Sequence, residues 1–132
     1  MDNGRLHEMI GVSIGVSRDA ASCAWLAMTA KGKQKGKDLQ AASRIREAIL
    51  HDQTVHAETG NVTWRESVMI FRNEEDFETF AKAVRRFVDD DGVDFGLSTG
   101  ALELQAKVEE TMDGIKAAKK AAEARRTPAS AS

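Results

Sequence analysis

The chain has no tyrosine, a single cysteine, a single proline and only 5% aromatic residues. Aromatics this scarce argue against a large surface of stacking or anchoring side chains. Cys23 stands alone, so no internal disulfide can form, and a reducing compartment is the natural expectation. No apolar run approaches the roughly 18 residues needed to span a bilayer. Residues 9–16 (MIGVSIGV) have the apolar length of a secretory signal core. Asp2 and Glu8 before them and Arg18-Asp19 after them are the wrong flanks for one. A cytoplasmic protein with no membrane association is therefore expected. The one proline, Pro128, falls in a Ser/Ala tail expected to be disordered.

What is present suits one domain. The 132 residues are 42% apolar and 30% charged, ordinary values for a globular chain able to bury a core. The net charge of −2 conceals an uneven spread: +3 over residues 1–37, −2 over 38–71, −4 over 72–100 and +1 over 101–132. Two basic ends flank an acidic centre.

Hydropathy patterning predicts α+β architecture. Ile10, Val12, Ile14 and Val16 alternate with Gly11, Ser13, Gly15 and Ser17, a period of two that marks a strand over 8–17. Its second face carries only glycine and serine, which lets another element approach the backbone closely; a covering helix is expected there. Residues 20–30 (AASCAWLAMTA) are ambiguous, with alanines that favour helix, but are read as a second strand pairing with the first.

A helix follows over 38–51, capped by Asp38, with Leu39, Ala42, Ile45, Ile49 and Leu50 at helical spacing. Residues 53–58 and 62–71 suit a hairpin turning at Gly60-Asn61. Val68-Met69-Ile70-Phe71 is apolar on both faces, as a covered central strand would be. The clearest helix is 74–89: Asn73 caps it, Glu74, Glu75 and Asp76 suit its positive end, and Phe77, Phe80, Ala81, Val84, Phe87 and Val88 form one stripe. Val93, Phe95 and Leu97 alternate as a short strand. The last helix runs from about Ala101 to Arg126, with Ala101, Leu104, Val108, Thr111, Ile115, Ala118 and Ala122 at heptad-like positions.

The segments around Trp25 and Trp64 run alike into a helix, so two strand–strand–helix units are expected, although any amphipathic helix after a strand would look similar. The resulting fold is an antiparallel sheet of about four strands (ββαββα-like) with its helices on one face. Residues 1–115 would form this single domain, and 116–132 a basic helical extension and tail.

The strongest local feature is Lys31-Gly32-Lys33-Gln34-Lys35-Gly36-Lys37. Four ammonium groups share a glycine-containing loop directly before a helix N-terminus, where unpaired amides already favour anions. The spacing is not that of a nucleotide-hydrolase phosphate loop. Lys116, Lys119, Lys120, Arg125 and Arg126 make a second basic set against Glu123 alone. Together these nine cations are the expected contacts to a nucleic-acid backbone, sequence-independent and salt-sensitive. The bland alternative is a solvated loop and a solubilising tail.

Other constellations carry less. Asp89-Asp90-Asp91-Gly92-Val93-Asp94 fails the EF-hand pattern, and His51 and His56 offer two ligands where a metal needs three or four. Cys23 lies in an alanine-rich run with no histidine placed to activate it, and no serine sits in a nucleophile elbow. A helix-turn-helix over 15–22 would need the strand-like MIGVSIG to be helical. No catalytic residue, metal or cofactor is expected. The reading is a small non-enzymatic protein that binds a nucleic-acid backbone. Its alternative is a homo-oligomeric or structural module that associates through residues 101–115.

Overall fold

The computed structural model describes residues 11–29, 37–91 and 99–126. In chain order these form β1 (Val12–Val16), α1 (Arg18–Thr29), α2 (Lys37–Ile49), β2 (Thr54–Val55), β3 (Val62–Thr63), β4 (Ser67–Phe71), α3 (Glu74–Arg86) and α4 (Thr99–Arg126). A π-helical turn, Phe87–Asp91, continues α3. The class is α+β, as its patterning predicts, but the sheet is not four-stranded. β1 pairs antiparallel with β4, from Val12 opposite Phe71 to Val16 opposite Ser67, and β2 pairs separately with β3.

The missing strand became a helix. Residues 20–30 were expected to pair with β1, yet Arg18–Thr29 is α1. Ser17 caps it: its hydroxyl accepts from the Ala20 N–H at 3.2 Å, and its carbonyl from the Ala21 N–H at 2.9 Å. Ala20, Ala21, Ala24, Ala27 and Met28 then fall on one buried stripe with Cys23. Helix propensity and a cap outweigh the pairing demand of β1, which β4 meets instead. The small side chains let α4 approach closely; an added Cβ on Gly100 would lie 2.6 Å from Asp19 Cβ and 2.9 Å from its carbonyl oxygen. The proposed repeat fails for the same reason. Trp25 sits on a helix and Trp64 on the β3–β4 connection, their rings 6.2 Å apart.

The core lies between the inner face of β1–β4 and the four helices. Ile14, Val16, Met69 and Phe71 supply the sheet side; Ile45 and Ile49 come from α2, Phe77, Phe80 and Val84 from α3, and Leu104 and Val108 from α4. Phe71 meets Phe77 edge-on at 5.2 Å and Phe80 at 4.9 Å, an aromatic cluster that ties the sheet to α3. The cap at Asn73 is as its sequence requires: its side chain accepts from the Asp76 N–H at 2.7 Å. α2 begins at Lys37, one residue before the expected cap at Asp38, and Leu39, placed on its apolar stripe, is 63% exposed.

The hairpin also differs from a two-residue turn. The His56 N–H donates to the Asn61 carbonyl and the Gly60 N–H to the His56 carbonyl, so the loop is longer, with Gly60 last in it at φ +72°. β4 is not a covered central strand, since Val68 and Ile70 are 45% and 48% exposed. Nor does a helix cover the Gly/Ser face of β1. Ser13 and Gly15 are exposed, and a Cβ on Gly15 would meet nothing within 4 Å. The Val93–Leu97 strand falls outside the described residues.

Candidate functional site

Nothing is described of Lys31, Lys33 and Lys35, which lie outside the described residues, and Lys37 is described only as the first backbone position of α2. The rest of the basic set lies on α4, whose apolar residues decide where it sits. Ala101, Leu104, Val108 and Met112 are buried against the chain's own α1 and α3, and Ile115 is half-buried. The heptad-like stripe thus packs within the chain as far as Ile115, while Ala118 is exposed. Beyond it, Lys116, Lys119, Lys120 and Arg125 are exposed; of Arg126 only the backbone is described.

Lys119 does not simply face solvent. Its ammonium lies 3.1 Å from Glu78 and 3.5 Å from Glu74 on α3, and the hydrogen bond to Glu78, with both carboxylates' charge, raises its pKa. The acidic centre of the sequence folds back on one of its basic ends. Two further clamps join the helices. Arg44 on α2 makes a bidentate pair with Asp76 on α3, both contacts 3.0 Å, with the Asp76 carboxylate nearly buried. Arg85 on α3 pairs with Glu109 on α4 at 2.6 and 3.0 Å, and that guanidinium holds the Glu109 carboxyl below its usual range. Arg85 is thus answered by a carboxylate of the neighbouring helix.

These elements enclose a cleft of ≈670 Å³ between α2, α3 and α4. Gln40, Ala41 and Arg44 line it from the first turns of α2, Lys82 and Arg85 from α3, and Met112 and Lys116 from α4, with Glu75, Asp76 and Glu78 among them. The first turns of α2 and Lys116 of α4 therefore border one cleft. Lys116, Lys120 and Arg125 make no ion pair or hydrogen bond with the described residues.

His51 lies 3.8 Å from Asp52, and His56 hydrogen-bonds Thr63 at 2.7 Å, so the two histidines point into separate local contacts. Among the described residues no three His, Cys, Asp or Glu side chains converge as metal ligands, and no helix is long and apolar enough to cross a membrane. Cys23 is buried. Of the 89–94 acidic run, only the exposed side chain of Asp89 is described. Compared with known protein families, curated proteins and solved structures, the chain matches none.

Proposed function

We propose that this chain is a small non-enzymatic protein that contacts a nucleic-acid backbone, using the Lys/Gly loop before α2 and the solvent-facing cations of α4. The observation that supports it is the shared cleft: the α2 turn that follows Lys37 and the α4 residue Lys116 border the same opening. A phosphate chain passing there would meet the Lys116 ammonium beside the α2 turn that the Lys/Gly loop precedes in sequence. The set of α4 contacts is Lys116, Lys120, Arg125 and Arg126. Lys119 is left out, because a phosphate would have to displace Glu74 and Glu78 from it.

Binding of this kind is purely electrostatic and releases counterions. Fluorescence anisotropy with a labelled duplex across a salt series should show log K falling linearly with log salt, by about 0.9 for each phosphate neutralised. Changing Lys116, Lys120 and Arg125 together to Gln should weaken low-salt binding and flatten that slope by about 2 to 3. Changing Lys31, Lys33, Lys35 and Lys37 to Gln should do the same for the loop. No binding at low salt, or affinities unchanged in both variants, would overturn the reading.

A further inference from the structure

The two edges of the β1–β4 sheet are treated differently. On the β1 side α4 closes the edge: the Lys107 ammonium donates to the Gly15 carbonyl, and Glu103 accepts the Ser17 N–H at 3.1 Å. Gly15 therefore turns its carbonyl away from β4. In an antiparallel ladder a residue so turned faces one whose backbone groups also point outward. Gly15 is opposite Val68 and Ser13 opposite Ile70, so the N–H and C=O groups of Val68 and Ile70 point to the outer edge of β4. Gln53 caps the approach to that edge, its side chain accepting from the Arg65 N–H at 2.7 Å and donating to Ser67 Oγ at 2.8 Å. Past Ser67 the described residues supply no hydrogen bond to Val68 or Ile70 outside the β1–β4 ladder. Beside them lies a recess of ≈340 Å³ lined by Arg44, Glu47, Ala48, His51, Ile70 and Arg72. An unprotected edge with an apolar face is a template for another strand.

The side chains say which strand fits. Val68 and Ile70 share the outer face of β4, Glu66 and Arg72 flank the strand at its two ends, and all four are exposed. Read along the chain they run acid, apolar, apolar, base, so the order is complementary to itself when reversed. Neither Glu66 nor Arg72 has an ion-pair partner among the described residues.

We propose that β4 is a self-association edge, on which a second copy of this chain pairs its own β4 antiparallel about a two-fold axis at Met69. Val68 then stands opposite the partner's Ile70, and each such pair exchanges both N–H···O bonds, because both residues present those groups outward. Glu66 stands opposite the partner's Arg72, and Arg72 opposite the partner's Glu66. Shifting the register by two residues would set a charge against Ile70 or Val68, which fixes this one. The result is one four-stranded sheet, β1–β4 and its symmetry copy, with exposed Val68 and Ile70 paired across the axis. Two short strands bury less than the roughly 800 Å² per partner of a stable dimer, so the dimer is weak and concentration-dependent. The inference does not depend on the nucleic-acid reading.

Sedimentation of the full chain across a dilution series tests it, read alongside amide hydrogen exchange. Dimer should grow with concentration while the Val68 and Ile70 amides become slower to exchange. Glu66→Arg and Arg72→Glu each set like charges face to face twice across the axis and should weaken the dimer about tenfold. The double variant E66R/R72E restores both pairs and should recover wild-type association. Both positions are exposed, so circular dichroism should report an intact fold in every variant. A monomer at all concentrations, failure of the double variant to recover, or new protection on residues 101–115 in place of Val68 and Ile70 would each overturn the proposal.

Discussion

The same substitution at two glycines of α4 should change stability in opposite directions. At Gly100 an alanine Cβ would sit 2.6 to 2.9 Å from the Cβ, carbonyl carbon and carbonyl oxygen of Asp19. Two of these atoms are backbone of α1, so no side-chain rotation relieves the contact. Reaching ordinary van der Waals distance at 3.4 Å needs the start of α4 to move off α1 by roughly 0.5–0.8 Å. That motion loosens the alanine-lined contact of α1 with Ala101 and Leu104, and overpacking of this kind costs about 1–3 kcal/mol. Gly114 is the control. It is an exposed interior position of α4, and a Cβ there meets nothing within 4 Å. Alanine at that site removes only the backbone-entropy penalty of glycine in a helix, a gain of about 1 kcal/mol. Urea unfolding followed by circular dichroism should move the midpoint down for Gly100→Ala and up for Gly114→Ala, with unchanged m-values. Stabilisation by Gly100→Ala would refute the close packing of α1 on α4. Loss of stability at Gly114 would show that the second half of α4 lies against something more than solvent.

The clamps make two further predictions. Asp76→Ala leaves a partly exposed guanidinium that water can take up, whereas Arg44→Ala leaves a nearly buried carboxylate with no cation, so the arginine variant should have the lower urea midpoint; the reverse order would refute the burial of Asp76. Glu103, bonded by the Ser17 N–H, and Glu109, bonded by Arg85, both have carboxyls held below the ordinary 4.5. The unfolded chain therefore binds those protons first as pH falls. Their contribution is complete above about pH 4.5 and is lost as pH drops through the lowered values. Acid titration of the urea midpoint should fall less steeply in Glu109→Gln than in the parent chain.

Local signals were legible where one residue type decided one geometry. Asn73 before three acids and a phenylalanine stripe leaves α3 little choice, and the alternation through Ile14 and Val16 leaves β1 little either. α1 was harder. Its stripe consists of alanines, whose small apolar signal is matched by a strand reading, and the deciding cue was Ser17, three residues before Ala20, acting as a cap. Val68 and Ile70 mislead in the other direction, because a run apolar on both faces reads as buried, although among the described residues only β1 pairs with β4. The ion pairs from Arg44 to Asp76, Arg85 to Glu109 and Lys119 to Glu78 span 24 to 41 residues. No local pattern encodes such pairs; they exist because α2, α3 and α4 pack side by side.

That packing alters what the charge segregation means. Basic ends around an acidic centre look like surfaces offered outward, but part of the attraction is consumed inside the molecule. Lys119 is held by α3, Arg85 by α4, and Arg44 by a buried carboxylate. Two groups among the charges that remain bear on the proposals. Lys116, Lys120 and Arg125 are cations exposed along one helix, the set on which the proposed phosphate contact rests. Glu66 and Arg72 are opposite signs at the two ends of β4, the pattern that the proposed second copy would answer by symmetry. Because one set lies on α4 and the other flanks β4, each can be removed without disturbing the other. A salt slope that survives the Glu66 and Arg72 swaps would show that the proposed phosphate contacts do not need the proposed dimer, and a salt slope that collapses with them would tie the two together.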